Sequence, residues 1–436
     1  MPGHGTALLT DHYELTMLQG ALHSGAAERR TIFEVFARHL PHGRRYGVVA
    51  GTGRLLDALE QFTFDAADLD FLRASDIVDD VTLRYLESYS FSGNIWGYGE
   101  GDCYFQGSPI MVVEGTFAEA VLLETISLSI FNNDCAIASA GSRMVTAAGG
   151  RPLIEMGSRR THEQAAVASA RAAYLVGFSS TSNLQANRLY GVPSAGTSAH
   201  AFTLVHDSER HAFRTQLYAL GKDTTLLVDT FDVDRAVRTA VELAGPDLGA
   251  VRIDSGDLLA LAHHVRALLD ELGAAQTRIV LTGDLDEYSI AALAAAPVDG
   301  YGVGTSLVTG SGAPTAALVY KLVARSDGPG PDSPLRPMAK RSAGKPGRRG
   351  RKWALRHRDE AGVALAEEIR LTPPDPGPRD RLLLTPLVRD GEIVGREPLA
   401  AARERHRQVL AELPPQAFQL SRGDPAIPTT FDEVTE

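Results

Sequence analysis

Between about residues 150 and 320, short apolar runs ending in Gly, Asp, Ser, Thr or Arg alternate with longer amphipathic stretches, and this alternation constrains the fold more than any other feature of the sequence. Apolar runs bounded by turn residues and followed by segments of helical period are the signature of βα units and a parallel sheet. The candidate strands are Pro152–Met156, Gly191–Ala195, Thr225–Val228, Ala250–Ile253, Arg278–Leu281 and Gly300–Val303. After Asp257, the residues Leu258, Leu261, Ala262, Val265, Leu268, Leu269 and Leu272 recur at helical spacing, which predicts an amphipathic helix capped by that aspartate. Asp284 with Glu287 resembles a capping box opening the next helix.

Polar chemistry collects after these strands. In barrels built from βα units, the C-terminal strand ends carry the site, and late βα turns offer backbone N–H groups to phosphate. Such turns are present in SerGlyAsp (255–257), ThrGlyAsp (282–284) and GlyValGlyThr (302–305). Turn geometry alone explains any one of them. Three in consecutive units point to a phosphate-bearing ligand.

The flanking regions read differently. Residues 1–145 mix an alternating segment at Thr31–Phe36, an acidic helical stretch near 54–90 and Gly-rich turns at 92–108, an α+β pattern. Residues 324–351 are rich in Pro, Gly and basic side chains, the composition of a solvated loop. Yet only five of the 43 Lys+Arg residues are lysines, and four of them (Lys321, Lys340, Lys345 and Lys352) fall in this neighbourhood. Lysine acts on phosphate as a point charge, so the cluster is also a candidate phosphate contact. Beyond residue 360, LLLTPLVRDGEIV reads as two strands about an Asp-Gly turn and 397–412 as a terminal helix.

Composition narrows the partners. A formal net charge of −11 carries no global basic footprint, so nucleic acid is not an expected partner. The N-terminal MPGHGTALLTDHYEL has no basic segment followed by an apolar one, and no uncharged apolar stretch approaches the ~18 residues of a membrane span, so neither a targeting segment nor membrane attachment is expected. Two cysteines, Cys103 and Cys135, make neither a disulfide framework nor a CxxC zinc site, and fit a cytoplasmic location.

Taken in order, LLTDHYELTM (8–17), FEVFARHLP (33–41), EMGSRRTH (155–162), VPSAGTSAH (192–200), LLVDTFD (226–232), VRIDSGDL (251–258), LTGDLD (281–286), YGVGTSLVTG (301–310) and VYKLV (319–323) resemble the nicotinate phosphoribosyltransferases, type II phosphoribosyltransferases that make nicotinate mononucleotide for NAD synthesis. The resemblance implies an α/β protein: an irregular, incomplete α/β barrel with an additional α/β domain formed by the N- and C-terminal segments. Its expected boundaries are 1–145 for the N-terminal domain, 146–325 for the barrel, 326–358 for the basic loop, and 359–436 for a C-terminal segment packing with the N-terminal domain. It also implies small-molecule substrates, a homodimer with shared active sites, an ATP-dependent C–N-forming ligase reaction, and ATP and 5-phosphoribosyl 1-pyrophosphate as co-substrates. Mg²⁺ is expected on the pyrophosphate, with its direct protein ligands left open.

By the same resemblance His200 accepts the γ-phosphoryl group of ATP as a phosphohistidine, a task suited to a nitrogen nucleophilic near pH 7. Asp229 and Asp254 are the carboxylates expected to orient it or to hold water around Mg²⁺. Tyr13 is expected to stack on the pyridine ring from the partner subunit. Arg252, and Arg159 beside Arg160, are candidate cations for the nicotinate carboxylate and pyrophosphate. Thr197 is expected on the nicotinate or phosphate side, Ser255 and Gly256 near ribose, Gly283 and Asp284 as a ribose contact, and Gly304 and Thr305 at the 5′-phosphate. Two departures matter. Met156 stands where many relatives carry an aromatic, which makes Phe178 the candidate second face for the ring. The segment GFSSTSN (177–183) lacks the carboxylate found in the nicotinamide-using relative, which favours the acid as substrate. Competing readings are transfer to nicotinamide or quinolinate, a phosphosugar isomerase or aldolase, and a non-catalytic phosphate-binding barrel. The isomerase and aldolase usually need a strand lysine or a paired carboxylate base, and no predicted barrel strand contains a lysine.

Overall fold

The computed structural model describes residues 5–339 and 348–431, without the His42 side chain. The chain divides into two compact units, one of residues up to Ala136 together with Thr315 onward, the other Ile137–Pro314. These limits differ from 145 and 325. Strand Leu318–Ser326 pairs antiparallel with Arg30–Ala37 and so belongs with the chain ends, and the helix Glu124–Ala148 crosses the first limit.

The unit built from both chain ends rests on a seven-stranded sheet in which every neighbouring pair is antiparallel. Its order is Leu335–Pro337, Leu318–Ser326, Arg30–Ala37, Pro109–Thr116, Asn94–Tyr98, Leu384–Arg389 and Glu392–Ile393. Arg30–Ala37 is central and buried on both faces over most of its length, which is why Ile32, Phe33, Val35 and Phe36 form an apolar run rather than a strict alternation. Phe33 stacks on Tyr320 with ring centroids 4.8 Å apart. The Gly-rich stretch 92–108 forms strands at Asn94–Tyr98 and Cys103–Tyr104, because their pairing partners lie elsewhere in the chain. The Asp390–Gly391 turn has positive φ at both residues and joins two antiparallel strands, as its sequence predicts. The terminal helix runs Leu399–Glu412.

Part of the basic stretch is ordered by pairing. Leu335–Pro337 returns onto Leu318–Ser326, and Lys352 is buried with its Nζ 2.7 Å from Glu34 Oε2. Lys352 is therefore a structural counter-ion rather than a solvated phosphate contact. Lys340 and Lys345 lie outside the described residues. Cys103 and Cys135 are buried and not joined in a disulfide. Among the described residues Phe117–Ala148 is the helical stretch long and apolar enough to cross a bilayer, but two thirds of its most apolar window is buried inside the chain, as in a core helix.

The second unit is a curled, six-stranded, all-parallel half-barrel sheet in the order Ser180–Thr181, Leu153–Glu155, Gly300–Val303, Arg278–Thr282, Ala250–Ile253 and Thr225–Leu227. Five strands match the apolar runs of the sequence. Gly191–Ala195 does not form the sixth; it contributes an isolated bridge, Ser194 to Thr181, and the two-residue strand Ser180–Thr181 takes the edge. Asp257 caps Leu258–Glu271 by accepting from Ala260 N at 3.1 Å. Asp284 opens no helix: its φ is +48°, and Asp286 caps Glu287–Ala292 by accepting from Ser289 N.

Candidate active site

All six strands run the same way, so their C-terminal ends deliver Met156, Ser182, Asp229, Asp254, Gly283 and Gly304 to one edge of the sheet. His200 is the first residue of the helix His200–Leu204 rather than a strand terminus. Its Nε2 lies 3.1 Å from Asp229 Oδ1. The other oxygen of Asp229 accepts from Asp254 N and from Ser255 Oγ, each at 2.8 Å. A carboxylate held by two donors is fixed in rotation, and it fixes the imidazole. The His200 side chain remains 39% exposed while that of Asp229 is 3% exposed, so the pair has a buried anchor and an open face.

Asp254 plays a different part. Its Oδ1 accepts from Thr282 Oγ1, tying the strand ends at 254 and 282 together, while its backbone N–H serves Asp229. The next turn depends on Gly283, whose φ of +131° and whose approach to Asp254 O, 2.5 Å from where a Cβ would sit, exclude any side chain. Gly256 and Asp284 also have positive φ, and Ser255, Gly256, Gly283 and Asp284 are all exposed. Gly304 precedes the single helical turn Thr305–Val308, and both Gly304 and Thr305 are half-buried.

Arg252 reaches across this edge and donates through Nη1 to Thr197 Oγ1. Its Nε is buried without a partner among the described residues. Burial lowers its pKa, and neighbouring Arg159 adds to that effect, against the pull of Asp254 and Asp229. A guanidinium desolvated beside another and only partly bonded is a receptor for an oxyanion. Arg159 is exposed on the turn after Leu153–Glu155.

One expectation about the ring platform is corrected. Phe178 is 0% exposed and packs against Gly141, so it presents no ring face to a ligand. Met156 is half-buried with its thioether against Gly302. Tyr13, 44% exposed, belongs to the other unit, on the helix His12–Ser24, where burial and the hydrogen-bonded Glu124 carboxylate raise its pKa. Sequence reasoning gave no role to Glu155, Thr181 or Thr282, which form the underside of the site. The one available signal was a carboxylate ending an apolar strand just before Gly157.

This edge brings together a carboxylate-held histidine, a desolvated arginine and three glycine turns at consecutive strand ends. The nicotinate phosphoribosyltransferase N-terminal domain matches residues 8–132, and the nicotinate phosphoribosyltransferase family matches 152–324. The nicotinate phosphoribosyltransferase pncB1 of Mycobacterium tuberculosis is 58% identical over 432 residues, covering 97% of this chain and 94% of its own. The Bacillus subtilis nicotinate phosphoribosyltransferase is 37% identical over 73% of this chain and 66% of its own. The crystal structure of the human nicotinic acid phosphoribosyltransferase superposes with a TM-score of 0.81 at 25% identity, covering 97% of both chains. The chain belongs to the nicotinate phosphoribosyltransferase family.

Proposed function

We propose that this protein is an ATP-coupled nicotinate phosphoribosyltransferase of NAD biosynthesis, working on the salvage route that starts from the free acid. The pyridine nitrogen of nicotinate attacks C1 of 5-phosphoribosyl 1-pyrophosphate, the C1–O bond to pyrophosphate breaks, and nicotinate mononucleotide forms. Positive charge grows on the ribose as pyrophosphate leaves, so the protein's work is alignment and stabilisation of separating charge. Arg252 and Arg159 supply cations for the anions, and the turns at 255–257, 283–284 and 304–305 supply the cradle.

The observation that carries the coupling is the Asp229–His200 pair. With Asp229 as acceptor the proton sits on Nε2, which leaves the lone pair on Nδ1, the nitrogen without a partner among the described residues. That nitrogen attacks the γ-phosphorus of ATP, the bond to the β-phosphate oxygen breaks, and ADP leaves; water later releases phosphate. Among the described residues no group of three His, Cys, Asp or Glu side chains is placed to hold a metal. Mg²⁺ would enter with the diphosphate of the donor, and the Asp254 carboxylate would hold it directly or through water, as where one or two carboxylates and substrate phosphates bind the ion. It would neutralise charge on the leaving group.

Tyr13 serves as a ring platform reached from the partner subunit of a homodimer. Nicotinate, phosphoribosyl pyrophosphate and Mg²⁺, assayed with and without ATP against nicotinamide and quinolinate, should give mononucleotide and ADP together from nicotinate alone. Equal product with and without ATP would remove the coupling, and product from none of the three would remove the function.

A further inference from the structure

Beneath the candidate site lies a carboxylate that the reaction does not use. Glu155 ends its strand and is 0% exposed. It has no cationic partner among the described residues, and burial raises its pKa. Each of its oxygens nonetheless accepts a hydrogen bond. Oε1 accepts from the backbone N–H of Gly157, and Oε2 accepts from Thr181 Oγ1 at 2.5 Å. Thr181 Oγ1 accepts in turn from Asn183 N at 2.9 Å, and Asn183 Nδ2 donates to Ser158 Oγ at 3.1 Å, closing a ring back onto the turn beside Arg159. The backbone of Thr181 bonds both ways to the next segment, its N–H to Pro193 O and its carbonyl from Ala195 N, each at 2.9 Å. That segment continues to Thr197, which receives Arg252.

A buried carboxylate without a counter-ion is costly unless hydrogen bonds hold it. Here it joins the two arginine-bearing parts of the site. Gly157 leaves the turn before Arg159 no slack: a Cβ there would sit 2.2 Å from Val308 Cγ1 and 2.9 Å from Glu155 Oε1. We infer that Glu155, acting through Gly157 and Thr181, is a positioning residue that aims Arg159 at the diphosphate of the phosphoribosyl donor. This rests on the function proposed above. Glutamine is a sharp probe, since its amide can still accept from Gly157, but its NH2 meets the Thr181 hydroxyl as a second donor and removes that hydroxyl's acceptor.

The test compares wild type with Glu155→Gln, Thr181→Val, Arg159→Ala and the double variant Glu155→Gln/Arg159→Ala. It reads the melting temperature, KM for each substrate, kcat, and calorimetric binding of inorganic pyrophosphate. The expected result is a folded Glu155→Gln protein with KM for phosphoribosyl pyrophosphate and Kd for pyrophosphate raised roughly ten-fold or more, as small misplacements of anion clamps do. KM for nicotinate should move little, Thr181→Val should behave alike, and the double variant should be no worse than Arg159→Ala. Should Glu155→Gln fail to fold, Thr181→Val carries the same reading. Active wild type with unchanged KM and Kd in the variants, or with additive losses in the double variant, overturns the positioning role alone. Wild type that neither turns over nor binds pyrophosphate overturns the proposed function and this inference with it.

Discussion

Each unit has its own charge cluster, and the two are built on opposite terms. In the unit formed by the chain ends, Arg356 is 0% exposed and donates to Asp102 at 3.0 Å, to Glu367 at 2.7 Å and to Cys103 O at 2.7 Å. Glu367 also accepts from Tyr98 and Ser108, and Asp102 from Arg381, which reaches Glu412 at 3.0 Å. Burial works to raise the pKa of Asp102, but Arg356 and Arg381 hold it below the ordinary value. In the half-barrel unit, Arg252 keeps one protein partner, its Nε has none among the described residues, and the His200 ring is open on one side. In the first cluster each buried charge has an opposite partner and ties strands together, although Arg356 Nε and Arg381 Nε, like Arg252 Nε, have no hydrogen-bond partner of their own among the described residues. The other holds bonding capacity in reserve, which a ligand needs and a core does not.

The strongest way to break this contrast is at His200. His200→Ala should abolish ATP stimulation and acid-labile labelling by γ-labelled ATP, while basal transfer from phosphoribosyl pyrophosphate continues. Persistent stimulation in that variant would sink the assignment of the histidine. Next in size is Asp229→Asn. The single amide oxygen must accept from Asp254 N, which turns the amide NH2 toward His200, shifts the imidazole proton to Nδ1 and removes the nucleophilic lone pair. ATP-coupled turnover should fall about 10²- to 10⁴-fold, as when a histidine is forced into the wrong tautomer, with the melting temperature nearly unchanged. Rates within a factor of two of wild type would show that Asp229 does not set the tautomer.

The buried, charge-paired cluster should respond in the reverse sense. Arg356→Met leaves Asp102 and Glu367 buried with one charge partner fewer, a change that typically costs about 3–5 kcal/mol. Denaturant melts should register that loss. In the remaining folded protein, KM values should match wild type, because none of these groups belongs to the proposed site. A raised KM for any substrate would blur the distinction between the clusters.

These two clusters were not equally legible in the sequence. The half-barrel site could be read because each strand is a short apolar run stopped by Gly or Asp, so order along the chain already places Asp229, Asp254 and Gly283 at strand ends. The edge strand Ser180–Thr181 could not: it is two polar residues long and exists only through its pairing with Ile154 and Glu155. The Glu155–Thr181 contact likewise spans 26 residues and leaves no periodicity. Phe178 misled because Met156 left the second ring face without its usual aromatic and Phe178 was the nearby substitute, whereas packing against Gly141 uses it in the core. Arg356 and Lys352 carry the opposite lesson. Charged residues in a basic, loop-like stretch read as solvated, and only partners such as Asp102 and Glu34, some 250 to 320 residues away, show that they are buried.

The smallest effect tests whether a buried carboxylate without a cation behaves differently from the paired ones. Glu14 is 0% exposed and accepts from Thr10 Oγ1 and from Thr125 N and Oγ1, clasping the helix that carries Tyr13. Burial pushes its pKa up to about 7 against the opposing pull of those hydrogen bonds. A carboxyl group whose folded pKa lies above its unfolded value binds protons more tightly in the native state, so its contribution to stability is full below about pH 4 and is lost as pH rises toward and through 7. Glu14→Gln copies the protonated form and removes that loss. The variant's melting temperature relative to wild type should therefore climb by a few degrees between pH 5 and pH 8. A difference that stays flat, or falls with pH, would mean that Glu14 is ionised throughout and that its three donors satisfy it as fully as Arg356 satisfies Asp102.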